Sequence, residues 1–390
     1  MNEPLKVLYV IRTLTHGGGA ERLMFDLYNE LIKRKDIVFK IVVLQKSDFF
    51  KKFNISNADY YETRMDNIIY LDYSFQLRIL GKNIINIKEY KKIVNEFNPD
   101  IVHSNLYLAE LVSREYINRE ASYFTHVHDN IVQLRKLIFK TLMNKSLLTD
   151  YYERLRLIKK YKKTNTHFIC ISNETNNFIK NNLPKILNKN AIILPNAIDL
   201  SRFSLTPKTL TDNNVFQLIS IGSLAPRKNH VFLIDLVDLL IRNGISVNLT
   251  ILGEGIERNK IENKIDDLKL NEHITLKGNV TDIVSYLNNA DLYVHSATSE
   301  PFGLVLLEAM ASGLPVIALD GKGNRDFIID DQNGYIIDEL SISKMGNKII
   351  EILHNENTYQ RISKNAVETS KKYSISEYVN KLISLYKSTK

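Results

Sequence analysis

The segment Ser299–Gly313 reads S-E-P-F-G-L-V-L-L-E-A-M-A-S-G, a Pro-Phe-Gly turn followed by a short apolar run. Pro301 suits the first turn of a helix, where the N–H group that proline lacks has no partner to lose. The glycine and the proline that follow the apolar run mark the end of that helix. We therefore expect the backbone N–H groups of Phe302, Gly303 and Leu304 to point out of a helix N-terminus, an arrangement that binds phosphate groups.

Two glutamates flank this helix start. Glu300 directly precedes the turn, and Glu308 lies within the apolar run L-V-L-L-E-A-M-A. A carboxylate buried in such a run needs a polar partner, because an unpaired buried charge is costly. The hydroxyl groups of a ligand are one such partner, and a helix cap or an internal ion pair is the other interpretation.

The composition is that of a globular protein with room for two domains. The chain has 390 residues, 44% of them hydrophobic and 25% charged, which suits two cores of ordinary size. The single cysteine, Cys170, excludes a disulfide framework and a cysteine metal cluster, and it fits a reducing compartment. No signal-peptide pattern and no apolar run of roughly 20 residues is apparent, so we expect a cytoplasmic protein.

A glycine-rich loop follows the first strand. Lys6–Ile11 is a short apolar strand, and the loop H-G-G-G-A-E-R then leads into an amphipathic helix. Such a loop brings backbone N–H groups near a phosphate, and its glycines are Gly17, Gly18 and Gly19. The pattern is not G-x-G-x-x-G, so a dinucleotide site is disfavoured and a tight turn remains the alternative.

Two histidines lie at the end of a later strand. His126 and His128 alternate along the predicted strand Ser122–Asp129 and so share a face. Ligands of open α/β sheets bind at the carboxyl ends of the strands. We reject a metal site, because third and fourth ligands are not nearby in the sequence.

A second loop carries two adjacent cations. The predicted strand Val215–Ile221 leads into G-S-L-A-P-R-K-N-H, in which Arg227 and Lys228 precede an apolar helix. Cations at a helix start oppose the helix dipole, which disfavours an ordinary surface role. Two cations on a loop after a strand suit a diphosphate.

Strands alternate with helices in both halves, which predicts an α/β protein with two doubly wound parallel sheets. The segment E-P-F-G-L-V-L-L-E-A-M-A-S-G-L-P-V resembles the E-x7-E signature of retaining nucleotide-sugar glycosyltransferases of family 4. The resemblance implies GT-B architecture, two Rossmann-like domains facing a cleft. The expected divisions are an acceptor-side domain over 1–203, a linker over 204–214, a nucleotide-sugar domain over 215–372, and a helix over 373–390 that crosses back to the first domain.

The resemblance also assigns roles to residues. It implies that Glu308 holds the ribose hydroxyls, that Glu300 holds the sugar hydroxyls, and that His128, in a T-x-H-D pattern, reaches toward the sugar. The implied catalytic residues are Glu300, His128, Arg227 and Lys228. The implied donor-binding residues are Gly17, Gly18, Gly19, Arg227, Lys228, Asn279, Val280, Glu300, Phe302, Gly303, Leu304 and Glu308.

The chain departs from the family pattern at two positions. Ala197 replaces the usual glycine of N-G-V-D-x-x-x-F, and Ser223 replaces the arginine of G-R-L-x-x-x-K. Arg227, one residue before the motif lysine, is placed to supply the missing positive charge.

The implied reaction is transfer of a hexose or N-acetylhexosamine from a nucleoside diphosphate, most often UDP, with anomeric retention. The chain contains no D-x-D sequence, so we expect no metal ion and no other cofactor. Cations and backbone dipoles would stabilise the leaving group instead. No carboxylate is an assured nucleophile for a double displacement, which favours attack on the same face, with the donor phosphate accepting the proton.

The segment 135–163 concentrates positive charge, with ten lysines and arginines against Asp150 and Glu153, interleaved with leucines and isoleucines. An anionic membrane surface and a solvated helical face are both compatible with this pattern. A nucleic-acid partner is disfavoured, because no binding motif accompanies the charge. The expected acceptor is a glycan or polyprenyl-linked intermediate of a bacterial surface polysaccharide such as lipopolysaccharide or capsule, at the inner face of the membrane.

Two other functions remain as alternatives. A sugar-nucleotide 2-epimerase shares GT-B architecture, although the E-P-F-G-L-V-L-L-E segment and the Arg227-Lys228 loop favour transfer. A non-catalytic scaffold that rests on a membrane through 135–163 is the non-enzymatic alternative.

Overall fold

The computed structural model describes residues 3–14, 18–45, 68–71, 87–136, 145–164, 166–210 and 215–389. Contacts divide the chain into two compact units. The first runs to Pro195 and resumes at Ser376, and the second is the continuous stretch Asn196–Ile375.

Within its described residues, the first unit contains a seven-stranded sheet whose pairings are parallel. The strand order is β3-β2-β1-β4-β5-β6-β7. In chain order its elements are β1 (Leu5–Ile11), α1 (Gly19–Leu31), β2 (Ile37–Val43), β3 (Ile68–Tyr70), α2 (Lys88–Phe97), β4 (Ile101–Asn105), α3 (Tyr107–Ser113), β5 (Ser122–Val127), α4 (Lys145–Thr164), β6 (His167–Cys170), α5 (Asn173–Asn182), α6 (Lys185–Asn188) and β7 (Ala191–Ile193).

In its described residues the second unit repeats this plan with six strands, again paired in parallel, in the order β10-β9-β8-β11-β12-β13. Its elements are β8 (Phe216–Ile221), α7 (His230–Arg242), β9 (Val247–Leu252), α8 (Arg258–Asp267), β10 (Ile274–Gly278), α9 (Ile283–Asn288), β11 (Leu292–His295), α10 (Leu304–Ala311), β12 (Val316–Leu319), β13 (Tyr335–Ile337), α11 (Ile342–Leu353) and α12 (Glu356–Lys371).

The strands are apolar because helices cover both faces of each sheet. Six of the seven residues of β1 are buried, and all four of β12 are. Strands buried on both faces lose the alternation of polar and apolar residues that marks a half-exposed strand. The sequence expectation of two doubly wound parallel-sheet domains is confirmed.

Among the strands that the structure describes, each sheet reverses its order once. β1 lies beside β4, and β8 lies beside β11, although neither pair is consecutive in the chain. At such a point the following loops diverge to opposite faces of the sheet, and the gap between them is where open α/β sheets bind ligands.

The last helix, α13 (Ile375–Ser388), packs on the first unit. The Tyr386 hydroxyl is hydrogen-bonded to Nδ1 of His103 on β4 and lies 3.2 Å from the Tyr9 hydroxyl on β1. At the end of the helix, Lys387 Nζ lies 3.0 Å from a carboxylate oxygen of Asp36. These contacts join the two ends of the sequence. Within the described part of the chain, no helix is both long and apolar enough to span a membrane.

A buried ion pair stabilises the packing of α3 on the first sheet. The side chains of Glu110 and Arg114 are fully buried, with Arg114 Nη1 3.0 Å from Glu110 Oε2. Arg114 also donates to Thr125 on β5 and to Ser104 on β4, each at 2.9 Å. Burial, only partly offset by Arg114, raises the pKa of the Glu110 carboxyl to about 7.

Replacing Arg114 by methionine should therefore destabilise the protein strongly. The substitution leaves Glu110 buried without its counter-charge, which costs about 3–5 kcal/mol. A second change, Glu110→Leu, should restore at least half of the loss, because an apolar pair of similar volume needs no counter-charge. Urea unfolding of the two variants measures this, and additive losses in the double variant would contradict it.

Candidate active site

Two loops meet at the strand reversal of the second unit. The loop after β8 contains a 3-10 turn, Pro226–Lys228, and the loop after β11 leads to α10. The Ser296 hydroxyl donates to the carbonyl of Lys228 at 2.8 Å, and the N–H of Thr298 donates to the carbonyl of Arg227 at 3.1 Å. These bonds hold the two cations that the sequence singled out beside the loop that carries Glu300.

The backbone of Glu300 is hydrogen-bonded on both sides to the loop after β12. Its N–H donates to the carbonyl of Gly321 at 2.8 Å, and its carbonyl accepts from the N–H of Gly323 at 3.0 Å. A Cβ at position 321 would lie 2.6 Å from the Cβ of Glu300. A side chain there would displace Glu300, so glycine at 321 is required for this close approach.

The side chain of Glu300 is an ion-pair partner of Lys228. Nζ of Lys228 contacts Oε2 of Glu300, and each side chain is 10% exposed. His295 Nε2 lies 3.1 Å from the same oxygen. Burial alone would raise the pKa of Glu300, but the charge of Lys228 and the His295 hydrogen bond outweigh burial and hold that pKa well below its usual range. Glu300 is therefore a carboxylate at neutral pH.

Two histidines of this cluster were missed from the sequence. His295 ends β11, and His230 is the first residue of α7; each ring is 2% exposed. Burial is the main cause that lowers both pKa values, to about 3 for His230, and Lys228 adds to both shifts. Both rings are therefore neutral at pH 7. A polar residue at the carboxyl end of a strand, the signal that pointed to His128, also marks His295.

The helix start differs from the expectation. α10 begins at Leu304, because Gly303 adopts the left-handed region with φ of 99°, a conformation that does not continue a helix toward Pro301. A Cβ at position 303 would lie 2.7 Å from Cδ1 of Leu306 and 3.2 Å from Cγ of Glu300. The free N–H groups of the first turn are therefore those from Leu304 onward, whereas Phe302 packs its ring 5.2 Å from that of Phe327.

Glu308 has an internal partner. The glutamate is 5% exposed, and its Oε1 lies 3.6 Å from Nη1 of Arg202. Arg202 ends a 3-10 turn capped by Asp199, whose carboxylate accepts the N–H of Ser201 at 3.0 Å. The ion-pair interpretation of Glu308 thus applies, and Arg202 is a further residue of the site that the sequence did not single out.

Asn279 and Val280 follow β10, which β9 separates from β8 in the sheet. They lie at the carboxyl end of their strand, and Val280 is half-buried. The carbonyl of Gly278, just before them, accepts the N–H of Gly253 at 2.8 Å, which joins this loop to the loop after β9.

The remaining predicted residues belong to the first unit. Gly17 lies outside the described residues, Gly18 caps α1, and Gly19 begins it. His128 Nε2 lies 2.8 Å from the Asn105 amide oxygen at the end of β4. The ring of His128 stacks on that of His126 at 4.0 Å, and burial lowers the pKa of His128 to about 3.

No group of three or more histidine, cysteine, aspartate or glutamate side chains could hold a metal ion among the residues that the structure describes. Lys228 supplies a positive charge beside Glu300, and Arg227 precedes it in the same 3-10 turn. The site can therefore present two cations, a helix N-terminus and two carboxylates within one unit, which suits a ligand with a diphosphate and several hydroxyl groups.

Several known proteins are similar to this chain. It is 32% identical over 165 residues to a poly(glycerol-phosphate) alpha-glucosyltransferase of Bacillus subtilis, covering 42% of this chain and only 24% of that protein. It is 25% identical to an Escherichia coli UDP-Gal:alpha-D-GlcNAc-diphosphoundecaprenol alpha-1,3-galactosyltransferase, covering 81% and 85% of the two chains. The chain thus spans about a quarter of the length of the Bacillus protein.

The fold is also that of solved structures. Anabaena Alr3699/HepE in complex with UDP and glucose matches with a TM-score of 0.77 at 18% identity, covering 98% of this chain and all of that one. The expected GT-B fold is thereby confirmed. The model for Glycosyltransferase Family 4 matches residues 17–202, and that for Glycosyl transferases group 1 matches residues 201–369. With both domains matched in order, the chain belongs to the GT-B glycosyltransferases of family 4.

Proposed function

We propose that this chain transfers a hexose or N-acetylhexosamine from UDP to a glycan or polyprenyl-linked acceptor, with anomeric retention and without a metal ion. The observation that carries the proposal is the buried Lys228–Glu300 pair beside the N-terminus of α10. The pair supports the proposal because it joins a cation, to which we assign a donor phosphate, to a carboxylate, to which we assign the sugar hydroxyls.

The leaving group of such a reaction is a nucleoside diphosphate. Arg227 and Lys228 lie in one 3-10 turn, and hydrogen bonds to Ser296 and Thr298 fix the backbone of that turn. The first-turn N–H groups of α10, beginning with Leu304, add the positive end of a helix dipole. Groups held in place before the reaction stabilise developing charge without reorganising. Here they would stabilise the negative charge of the leaving diphosphate, as a metal ion does in metal-dependent transferases.

The nucleotide and acceptor are supported by the similar proteins. The HepE structure holds UDP and glucose, and the Escherichia coli enzyme is named for UDP-Gal and a diphosphoundecaprenol-linked acceptor. The Bacillus enzyme is named for poly(glycerol phosphate). These acceptors favour a bacterial surface polysaccharide as the product.

We assign anomeric retention to attack by the acceptor on the face of the sugar from which the nucleoside diphosphate departs. Glu300 is engaged by Lys228 and His295, which disfavours it as a nucleophile. His128 is neutral and bonded to Asn105, so we give it an orienting role and assign the acceptor proton to a donor phosphate oxygen. Glu308 is assigned the ribose hydroxyls.

UDP-sugars should raise the melting temperature of the protein, because a ligand that binds only the folded state stabilises it by mass action. GDP-sugars should do so less. Lys228→Ala should remove this increase in melting temperature, whereas Lys277→Ala, at an exposed lysine of β10, should keep it.

The product should keep the anomeric configuration of the donor, as NMR would show, and activity should be unchanged in EDTA. Formation of an epimer from UDP-GlcNAc without acceptor, or loss of activity in EDTA, would contradict the proposal.

Glu308→Ala should weaken UDP binding by about tenfold, the scale of one lost hydrogen bond to a charged group. Turnover at saturating donor should change less. Glu351→Ala, which removes an exposed ion pair with Lys348 on α11, is the matched control. Calorimetric titration with UDP tests this, and if donor affinity and turnover both survive, the ribose assignment is wrong.

The basic segment contributes fewer free cations than its sequence suggests. Arg154 donates to the carbonyl of Leu134, and Lys160 and Arg156 each lie 2.8 Å from Glu115. Lys140 lies outside the described residues. Among the side chains of α4 that the structure describes, an exposed apolar stripe precedes exposed cations. The stripe is Leu148, Tyr152 and Leu155, which are 41%, 57% and 51% exposed, and the cations are Lys159, Lys162 and Lys163.

This face of α4 is the part of the segment that we assign to an anionic membrane surface. Residues at i, i+4 and i+7 share one side of a helix, so the three apolar side chains can insert between headgroups while the lysines meet anionic lipid. A membrane position brings the enzyme to a polyprenyl-linked acceptor.

Reversing the charge at Lys159, Lys162 and Lys163 should reduce binding to phosphatidylglycerol vesicles, at about 1 kcal/mol per lysine in low salt. Neither the unaltered protein nor the charge-reversed variant should bind phosphatidylcholine vesicles. The control carries the same charge change on the second unit, at Lys260, Lys344 and Lys371, each exposed. Equal sedimentation of the two variants with anionic vesicles would exclude α4 as the docking face.

A further inference from the structure

The two side chains that hold the carboxylate of Glu300 meet at one oxygen. Lys228 Nζ and His295 Nε2 both contact Oε2, the latter at 3.1 Å. Under the proposed function, Oε1 is the oxygen that accepts from a sugar hydroxyl. The carboxylate is thus fixed from one side, and its orientation depends on these two donors.

Lys228 has two competing partners under the proposed function. In the structure it pairs with Glu300, and in the donor complex its ammonium serves a diphosphate. A diphosphate carries more charge than one carboxylate and draws the ammonium toward itself. Glu300, whose side chain is 10% exposed, then loses its main counter-charge, and a buried carboxylate without a donor is costly.

His295 is the donor that stays. Its ring is 2% exposed and packs against the ring of Tyr293 with 6.0 Å between centroids, on the last residues of β11. The position of Nε2 is therefore set by the sheet and does not depend on the lysine. Burial, together with the positive charges of Lys228 and Arg227, outweighs the opposing effect of Glu300 and lowers the pKa of His295, so the neutral ring presents one N–H to the carboxylate.

We infer that His295 is a positioning residue that keeps the Glu300 carboxylate in place when a nucleoside diphosphate draws Lys228 away. The inference rests on the proposed function of Lys228 at the diphosphate. Glu300 then competes with the diphosphate for Lys228, and His295 lowers the free-energy cost of separating Lys228 from Glu300.

The inference is tested with UDP alone, which engages Lys228 without offering a sugar to Glu300. Four variants are titrated calorimetrically: His295→Gln, which keeps an N–H donor at similar reach, His295→Leu, which removes it, Glu300→Gln, and the double variant His295→Leu/Glu300→Gln. His354→Leu, at an exposed histidine of the second unit bonded to the carbonyl of Ile350, is the control. Urea unfolding verifies that each variant is folded.

His295→Leu should weaken UDP binding about tenfold, and His295→Gln should stay within about threefold of the unaltered protein. Glu300→Gln should bind UDP as tightly as the unaltered protein or more tightly while turnover falls, because Lys228 is released. In that background the loss caused by His295→Leu should disappear, since a neutral amide no longer needs the donor.

Equal losses for His295→Leu and His295→Gln, or a His295→Leu loss that persists beside Glu300→Gln, would overturn the inference while leaving the proposed function intact. If the unaltered protein and Glu300→Gln bind neither UDP nor GDP, the proposed donor site falls and the inference with it.

Discussion

The ion pair between Lys228 and Glu300 joins the loops on which the candidate site depends. Lys228 belongs to the loop after β8, Glu300 to the loop after β11, and the glycines at 321 and 323 bring the loop after β12 against the backbone of Glu300. All three loops leave the same edge of a parallel sheet, near the one place where its strand order reverses. A buried charge is costly without an opposite charge beside it, so the pair restricts how these loops can be arranged.

Much of this arrangement was predictable from the sequence. Apolar strands, a glycine-rich loop and the E-P-F-G-L-V-L-L-E segment predict two parallel-sheet domains. The cations at 227 and 228 indicate a site because they stand where a helix dipole disfavours them. The ion-pair partners were not predictable. Arg202 lies 106 residues before Glu308, and Lys228 lies 72 residues before Glu300, so only the folded chain shows these pairs together.

Two features that the sequence alone does not reveal share a physical cause. A helix start at Pro301 satisfies local rules, but the left-handed backbone of Gly303, packed between Leu306 and Glu300, is set by tertiary contacts. In the same way, the charge count of 135–163 does not show which cations are already paired within the protein. Arg154, Arg156 and Lys160 are engaged by carbonyl or carboxylate oxygens of the same unit, and only packing reveals which side chains remain for a partner.

The hydrogen bond between Tyr386 and His103 spans 283 residues of sequence. The nascent chain emerges from the ribosome with its N-terminus first, so the strands of the first unit emerge long before α13 is synthesised. The second unit, one continuous stretch from Asn196 to Ile375, has all its residues before the first unit does. The order of completion is therefore the reverse of the order of synthesis, because His103 and Tyr9 of the first unit stay uncovered until α13 has emerged.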